Sequence, residues 1–205
     1  MRVLLINGSS RKNGCTYTAL SEVAGSLDAE GIKTEIMQIG TEAIRGCIGC
    51  RGCVGKGRCV FNDDVANTFI DKMKEADGLV IGSPVYYASA NGNLVSLLDR
   101  MFFAGGREIF AYKPAAAVAS ARRAGTTVTL DEINKYFMIS EMPVVSSSYW
   151  NMVHGSSPDE VAQDKEGLQI MRNLGRNMAW MLKAFEGSKK PENEYSMRTD
   201  FIHKE

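Results

Sequence analysis

Apolar residues along this chain fall into short unbroken runs that alternate with longer amphipathic stretches. The run 3–6 is wholly apolar and ends at the turn Asn7-Gly8, which is typical of a strand buried on both faces of a parallel sheet. Further strands are predicted at 34–39, 78–81, 115–119 and 143–146. Helices are predicted over about 15–30, from 62 or 63 through Met73, and over 91–103, 126–137 and 161–185.

This strict alternation of strand and helix predicts an α/β protein with a doubly wound sheet. Five parallel strands fit the flavodoxin-like order 2-1-3-4-5, with helices on both faces in three α/β/α layers. We place one domain at 1–187 and a polar tail at 188–205, expected on the surface or against a neighbouring subunit. In such sheets ligands bind beyond the carboxyl ends of the strands, so the loops after strands one, three, four and five are the ones to inspect.

Charge and hydropathy exclude two classes of partner. The 24 basic and 24 acidic residues give a formal net charge of zero, which argues against general nucleic-acid binding. No apolar run reaches the roughly 18 residues that indicate a membrane-spanning helix. The N-terminal run also lacks the form of a secretory signal. A cytoplasmic protein without a membrane partner is therefore expected.

The segment 8–16, which joins the first strand to the first helix, combines hydroxyls, an amide, two cations and a helix N-terminus. Such a combination is suited to holding a phosphate. The segment matches neither the Walker loop nor the Gly-x-Gly-x-x-Gly dinucleotide motif. A phosphate monoester fits better, and in this architecture that usually means FMN. The alternative is a Ser- and Asn-rich turn without a ligand.

A cysteine-rich segment at 45–60, here called the cysteine loop, carries the spacing C-x2-C-x2-C-x5-C. Clustered cysteines of this kind are typical of iron–sulfur ligation. Between Glu42 and Asp63 all charged residues are basic, which would offset the negative charge of thiolates. Zinc is an alternative, although structural zinc sites usually use two separated cysteine pairs. Free thiols or a disulfide, with the loop shaping a subunit interface, are a third reading.

Several segments resemble the NADPH-dependent FMN reductase family over nearly the whole chain. Gly8-Ser9-Ser10-Arg11-Lys12-Asn13-Gly14 is similar to the G-S-x-R-x-x-G phosphate loop of that family, and Ser83-Pro84-Val85-Tyr86-Tyr87 to its S-P-x-Y flavin loop. The cysteine loop and the segment 147–155 resemble the iron–sulfur flavoprotein branch of the family. In that branch the cysteine motif binds a [4Fe-4S] cluster.

The resemblance implies a set of residues for each cofactor. The FMN phosphate would be held by Ser9, Arg11, Asn13, Cys15 and Thr16. One side of the isoalloxazine would be lined by Pro84, Val85, Tyr86, Tyr87 and Ala88. Its pyrimidine edge would be approached by Ser120, Ala121, Arg122 and Gly125. The cluster ligands would be Cys47, Cys50, Cys53 and Cys59. Cys15 departs from the family, whose loops often carry Asn there.

The implied activity is that of an FMN-dependent oxidoreductase. NAD(P)H or ferredoxin would donate electrons, and a quinone, free flavin, nitro- or azo-aromatic compound, or oxygen would accept them. The protein would form a homodimer or homotetramer. No residue stands out as a catalytic acid or base. The alternatives are an electron-transfer flavoprotein without a dedicated substrate and a cluster-free flavoprotein with redox-active thiols.

Three further features have both a functional and a structural interpretation. His154 is a proton donor or flavin contact in one interpretation and a structural residue in the other, since no partner carboxylate is visible. Tyr149 and Trp150 would stack on a flavin or nicotinamide ring, or pack a subunit interface. Arg122-Arg123 would bind the 2′-phosphate of NADPH, because guanidinium groups pair bidentately with phosphate, or would be a solvated pair.

Overall fold

The computed structural model describes residues 1–197 and 199. The strands in this part of the chain are β1 (Arg2–Asn7), β2 (Lys33–Gln38), β3 (Gly78–Pro84), β4 (Ala115–Ala121) and β5 (Met152–His154). The helices are α1 (Cys15–Ala29), α2 (Ala66–Glu75), α3 (Gly92–Phe110), α4 (Thr126–Ile139), α5 (Pro158–Gln163) and α6 (Lys165–Phe185). None of these helices is both long enough and apolar enough to cross a membrane.

The five strands form one parallel sheet in the order β2-β1-β3-β4-β5, which confirms the predicted flavodoxin-like topology. At the centre, Leu5 of β1 pairs with Ile36 of β2 on one side and with Val80 of β3 on the other. The order reverses between β1 and β3. The carboxyl ends of those two strands therefore border the crevice in which this fold binds ligands.

Two apolar layers cover the sheet, because successive side chains of a strand point to opposite faces. Leu4 and Ile6 of β1 pack with α2, α3 and α4. Val3 and Leu5 pack with α1, α5 and α6. Both faces are buried, which explains why β1, β3 and β4 are nearly continuous apolar runs in the sequence.

The predicted fifth strand at 143–146 is wrong in position. The structure places β5 at Met152–His154, beside Ala119–Ala121 of β4. The predicted segment contributes only a bridge between Val144 and Ala115. The intervening loop is tied to α6 instead, since Ser147 Oγ donates to the Ile170 carbonyl at 2.6 Å and Asn177 Nδ2 to the Ser146 carbonyl at 2.8 Å. An edge strand has only one neighbour, so it can be interrupted in this way.

Three helix boundaries also differ from the prediction. Helix α2 begins at Ala66 because the Asp64 carboxylate accepts a hydrogen bond from the Ala66 N–H at 3.0 Å. Helix α3 continues past 103 to Phe110, with a kink at Gly106. The last predicted helix is divided at Asp164, whose carboxylate caps α6 by accepting from the Gly167 N–H at 2.9 Å.

The tail leaves α6 and runs over the surface near the end of α3. The Arg107 guanidinium lies 3.9 Å from the centre of the Tyr195 ring, and the Tyr195 hydroxyl donates to Glu141 at 2.9 Å. Residues 198 and 200–205 of the predicted tail lie outside the described residues. The domain bounds at 187 and 188 stay a prediction.

Candidate functional site

The β1 loop, residues 8–14, is closed by the buried side chain of Asn7. Its amide Nδ2 donates to the Lys12 carbonyl at 3.1 Å, and its Oδ1 accepts from the Ser9 N–H at 3.1 Å. The Ser9 hydroxyl accepts in turn from the Arg11 N–H at 3.1 Å. Asn7 therefore sets the shape of the loop. The sequence interpretation treated it only as part of a turn.

Helix α1 begins directly after this loop and is open to an anion. Its N-cap is Gly14, and no side chain of the described residues caps it. The first-turn N–H groups of α1 are therefore available to an anion, which the helix dipole also favours. Arg11 and Asn13 precede this N-terminus and are exposed, whereas Ser9 and Thr16 are buried.

The side chain of Cys15 is directed away from the β1 loop. Its thiol donates to the Gly155 carbonyl at a sulfur–oxygen distance of 3.7 Å. It therefore links the first turn of α1 to the loop between β5 and α5. Of the five residues predicted to hold a phosphate, Cys15 is the one whose side chain is engaged elsewhere.

The β3 loop, residues 85–91, contains a tight turn. Tyr86 and Ser89 exchange two backbone hydrogen bonds, of 2.9 and 3.0 Å. The two residues between them, Tyr87 and Ala88, have positive φ angles of 53° and 58°. A non-glycine residue in this region costs about 1–3 kcal/mol, and such strain is concentrated at ligand clamps and active sites. Tyr87 and Tyr86 are both exposed on this turn.

Glu132 of α4 holds this turn in place. Its carboxylate accepts from the Ser89 hydroxyl at 2.7 Å and from the Ala90 N–H at 2.8 Å. The sequence interpretation missed Glu132. It sits in an ordinary helical pattern, and only the packing of α4 brings it to the turn.

The β4 loop, residues 122–125, packs directly on the β3 loop. Gly125 has φ +91°, and a Cβ on it would lie 2.7 Å from the Ala88 Cα. Just before this loop, the Ser120 carbonyl accepts from the Val85 N–H at 2.9 Å, and the Ala121 carbonyl accepts from the Gly155 N–H at 3.1 Å. Arg122 is exposed beside them.

The β1 loop also touches strand β3 and the β3 loop at the switch point of the sheet, where Asn91 Nδ2 donates to the Gly8 carbonyl at 2.9 Å. The Gly8 N–H donates to the Gly82 carbonyl at 2.8 Å, and a Cβ on Gly8 would lie 2.7 Å from that oxygen. Three loops from different strands therefore converge at one edge of the sheet. This brings together the predicted phosphate residues, the strained tyrosine turn with Pro84 and Val85 directly before it, and the residues predicted at the pyrimidine edge.

His154 is the last residue of β5 and has the carboxylate partner that the sequence interpretation did not find. Its N–H donates to Asp164 Oδ2 at 2.7 Å, and its ring Nδ1 lies 4.0 Å from the same oxygen. Nearby, Tyr149 and Trp150 pack edge to face with ring centres 4.7 Å apart, and both remain exposed. Stacking on a ligand and packing at an interface both stay predictions for this pair.

The four cysteines of the cysteine loop line a single cavity against α3, together with Phe61, Arg100 and Phe103. All are free thiols, and the described chain contains no disulfide. Cys53 is buried, Cys59 is half-buried, and the other two are exposed. Burial raises the pKa of the Cys53 thiol above its usual value, and the neighbouring cysteines add to this shift.

A buried ion pair fastens the cysteine loop to α3. The guanidinium of Arg100 pairs with the Asp64 carboxylate, and both side chains are almost wholly buried. The same guanidinium donates to the Arg45 carbonyl at 3.3 Å and to the Phe61 carbonyl at 3.1 Å. Burial by itself would lower the pKa of Arg100, but its contacts with Cys59 and Asp64 outweigh this effect and raise it.

Asn67 of α2 fixes the end of the cysteine loop. Its Oδ1 accepts from the Cys59 N–H at 2.8 Å, and its Nδ2 donates to the Cys59 carbonyl at 3.0 Å. The backbone of Cys59 is therefore held on both sides. Neither Asn67 nor Arg100 was identified from sequence, although an arginine within the apolar stripe of α3 was a readable signal.

The thiols share a cavity but do not converge on one point. Among the described residues, no three His, Cys, Asp or Glu side chains form a group able to hold a single metal ion. Tetrahedral zinc needs its sulfur ligands about 2.3 Å from a common centre. A four-iron cluster binds each thiolate to a different iron atom, so its ligands are spaced more widely. The donor set, four cysteines, is the one that such a cluster takes.

Known proteins match the sequence of this chain over the loops described above. The chain matches the family model "NADPH-dependent FMN reductase" over residues 1–157, which include all three converging loops and the cysteine loop. It is 34% identical over 190 residues to an iron–sulfur flavoprotein of Methanocaldococcus jannaschii, covering 89% of this chain and 98% of the relative.

Solved structures share the fold. RosB with a bound 8-demethyl-8-formylriboflavin-5′-phosphate intermediate has a TM-score of 0.73 at 14% identity, covering 98% of this chain and 92% of that one. An archaeal flavodoxin has a TM-score of 0.61 at 15% identity, covering 89% and 99%. The family match extends over most of the chain and includes the loops that form the site. The chain therefore belongs to the NADPH-dependent FMN reductase family.

Proposed function

We propose that this protein is an FMN-dependent oxidoreductase of iron–sulfur flavoprotein type, with one FMN site and one [4Fe-4S] site in each chain. The observation that carries the proposal is the pairing of two sites on one helix. The N-terminus of α3 lies at the three converging loops, and Arg100, in the middle of α3, lies at the four-cysteine cavity. Bound FMN would supply hydride acceptance and one-electron release.

The chain's own residues fit the FMN phosphate. The β1 loop carries the hydroxyl of Ser9 and the exposed side chains of Arg11 and Asn13, and it leads directly into the open N-terminus of α1 with Thr16 in its first turn. Hydrogen bonds to a charged group contribute roughly 1.5–3 kcal/mol each, so several convergent donors would dominate phosphate binding. Cys15 would contribute through its backbone, because its thiol is bonded to Gly155.

The strained turn and the β4 loop fit the flavin ring. The tyrosine turn is held rigidly by Glu132 and Gly125, so the ring would meet a preformed wall. The backbone N–H groups of 122–125 would face the pyrimidine edge, where FMN presents acceptors. This assignment follows the family resemblance and the convergence of the three loops.

The two sites lie within reach of one helix. Arg100 follows Asn91 by about 13 Å along α3, at a rise of 1.5 Å per residue. A cluster bound by Cys47, Cys50, Cys53 and Cys59 would lie on the face of the sheet that α2, α3 and α4 cover. Four cysteines in one cavity with a buried cation beside them support a cluster there, as does the name of the archaeal relative.

We propose NAD(P)H or a reduced ferredoxin as the electron donor. The acceptor would be a quinone, a free flavin, a nitro- or azo-aromatic compound, or oxygen. We also propose a cytoplasmic homodimer or homotetramer, since clustered thiols stay reduced in the cytoplasm. The exposed Tyr86, Tyr87 and Trp150 would be covered by a second subunit or by the donor.

A second candidate function is an electron carrier that binds both cofactors without a dedicated substrate. The exposure of Tyr87 favours it, because an open flavin edge suits contact with a protein partner. Anaerobic NAD(P)H oxidation assays with and without ferredoxin separate the two. Turnover with NAD(P)H and a small acceptor alone supports the enzyme, and turnover only with ferredoxin supports the carrier.

The cofactor assignment is tested by purifying the protein without oxygen and measuring its visible spectrum, FMN content and iron content. The proposal expects one FMN and about four iron atoms per chain. FMN without iron, even after anaerobic reconstitution with iron and sulfide, would reject the cluster but keep the flavoprotein. Failure to bind added FMN would reject the proposed function as an FMN-dependent oxidoreductase.

A further inference from the structure

Arg100 is an unusual residue for the buried face of a helix. It is only 2% exposed, and its neighbours in the core of α3 are the apolar Leu97, Leu98 and Met101. An arginine is almost never fully buried unless its charge is paired. Asp64 provides the pairing carboxylate and is itself buried.

The hydrogen bonds of Arg100 leave one guanidinium nitrogen, Nε, without a partner among the described residues. The guanidinium has five N–H donors in a rigid plane. Nη1 donates to Asp64 and to the Arg45 carbonyl, and Nη2 donates to the Phe61 carbonyl. Nε is buried and has no hydrogen-bond partner among the described residues. A buried donor without a partner is costly and calls for an explanation.

The cavity that contains the four cysteines supplies that explanation. Arg100 lines it, and Cys59 adjoins the guanidinium. The backbone of Cys59 is already fixed by Asn67, so its sulfur can change position only by rotation about the Cα–Cβ bond. The groups that pair with the other guanidinium nitrogens flank the four cysteines, at Arg45 on one side and at Phe61 and Asp64 on the other, which fixes the plane of the guanidinium against this segment.

We propose that Arg100 is a positioning residue that sets the potential of the cluster: its Nε–H donates a hydrogen bond to the Cys59 sulfur once that sulfur ligates iron, and this bond raises the reduction potential. The inference rests on the proposed function, since it needs a cluster at the four cysteines. Reduction adds negative charge to the cluster, and a hydrogen bond to a ligand sulfur stabilises the reduced form more than the oxidised form. Asp64 balances the charge of Arg100, so the hydrogen bond is the larger contribution.

The test compares the cluster potential of the wild-type protein with that of two variants. Arg100→Lys keeps a positive charge but lacks Nε–H. The double variant Arg100→Gln/Asp64→Asn removes both charges together and leaves neither buried without its partner. In anaerobic titrations followed by electron paramagnetic resonance, we expect the one-electron reduction equilibrium constant to fall about tenfold in both variants. This corresponds to about 59 mV toward more negative potential.

The matched control is Arg172→Gln/Glu22→Gln, which removes an arginine–carboxylate pair on the opposite layer. Its potential should equal that of the wild type. A second readout is pulsed electron paramagnetic resonance on protein labelled with 15N-arginine. It should show a nitrogen coupling to the reduced cluster that disappears in Arg100→Lys.

Each outcome decides for or against the inference. Variants with full iron and wild-type potential would overturn it, and so would an absent 15N coupling. Variants that lose iron while keeping the far-ultraviolet circular dichroism of the wild type would also overturn it, since the arginine would then retain the cluster and not set its potential. Loss of iron together with unfolding in both variants would assign Arg100 a structural role only. Wild-type protein without iron would instead reject the cluster itself.

Discussion

The side-chain amide of Asn91 donates to the carbonyl of Gly8 at 2.9 Å, although the two residues are far apart in sequence. The Asn91 N–H is bonded to Ser83 Oγ at 3.0 Å, and its Oδ1 caps α3 by accepting from the Asn93 N–H at 2.9 Å. One buried side chain therefore joins the β1 loop, the end of β3 and the start of α3. The Asn91 side chain therefore couples two of the three loops proposed to hold FMN, the β1 loop and the β3 loop.

Substitution of Asn91 by Ser should separate these roles. Serine also caps helices well, so α3 keeps its start, but its side chain is too short to reach Gly8. The Gly8 carbonyl would then be buried without a partner, which costs about 1–3 kcal/mol. We expect a lower free energy of unfolding in urea and FMN binding weakened about tenfold in fluorescence titrations. Asn93→Ala, which removes only an exposed bond to the Glu42 carbonyl, should change neither.

Gly125→Ala should displace the β3 loop. Gly125 has φ +91°, and the new methyl group would lie 2.7 Å from the backbone of Ala88. The unfavourable φ alone costs about 1–3 kcal/mol, and the contact adds to it. We expect reduced stability and loss of most FMN binding. Gly92→Ala, at a position with open space around it, is the control and should be neutral. Equal effects of the two changes would contradict the role given to Gly125.

Glu132→Ala should loosen the tyrosine turn. It removes the acceptor of two hydrogen bonds, from Ser89 and Ala90, and leaves the strained conformation of Tyr87 and Ala88 unsupported. We expect the unfolding free energy to fall by about 1–3 kcal/mol and FMN to dissociate faster. Glu132→Gln keeps an oxygen acceptor, so its unfolding free energy and its rate of FMN dissociation should fall between those of the wild type and Glu132→Ala. Asp131 is the exposed neighbour of Glu132, and Asp131→Ala should behave as the wild type. Stopped-flow fluorescence measures FMN dissociation in all three variants, and urea titration measures their stability.

Replacement of Cys53 by Ser should lower the iron content, because the buried thiol is one of the four proposed ligands. Cys15→Ser is the matched control. Its hydroxyl can still donate to Gly155, so the fold and the iron content should be retained. Iron analysis of both proteins purified without oxygen checks this. Equal iron in the two variants would remove Cys53 from the ligand set.

Neutralising two adjacent aspartates should change the stability of the protein by very different amounts. Asp63 pairs with Arg45 at 2.7 Å on the surface, where hydrogen bonding to that guanidinium lowers the pKa of the carboxyl. Exposed pairs contribute little, so Asp63→Asn should hardly move the urea midpoint. Asp64→Asn would leave the buried Arg100 charge unpaired, at a cost of about 3–5 kcal/mol. Similar midpoints for the two variants would contradict the burial of the Asp64–Arg100 pair.

The sheet was predictable because its signal is local. The unbroken apolar runs of β1, β3 and β4 occur only where both faces of a sheet are covered, and this points to a parallel α/β fold. The β5 segment was predicted in the wrong place because an edge strand is specified by one neighbour only. Its two short pieces, at Val144 and at Met152–His154, are separated by a loop whose hydrogen bonds go to α6.

The residues that hold the sites together were harder to identify from the sequence. Asn91 and Glu132 lie in patterns that fit an ordinary helix cap and helix surface, and Arg100 stands out in the apolar stripe of α3 without indicating its partners. Each reaches a loop from a distant part of the sequence. The Asp164 partner of His154 was missed for the same reason, because its position next to the ring depends on the break between α5 and α6.

The sequence alone determined the alternation of strands and helices, the family resemblance and the four cysteines, since apolar periodicity and motif spacing are properties of neighbouring residues. The strand order was predicted from the known folds that such an alternation fits. Tertiary structure decided which side chains support those motifs. Folding brought Asn91 to Gly8, Glu132 to the strained turn, and the buried guanidinium of Arg100 to the cysteine cavity. Hydrogen bonds between distant segments depend on how helices pack on the sheet, and no local pattern encodes that packing.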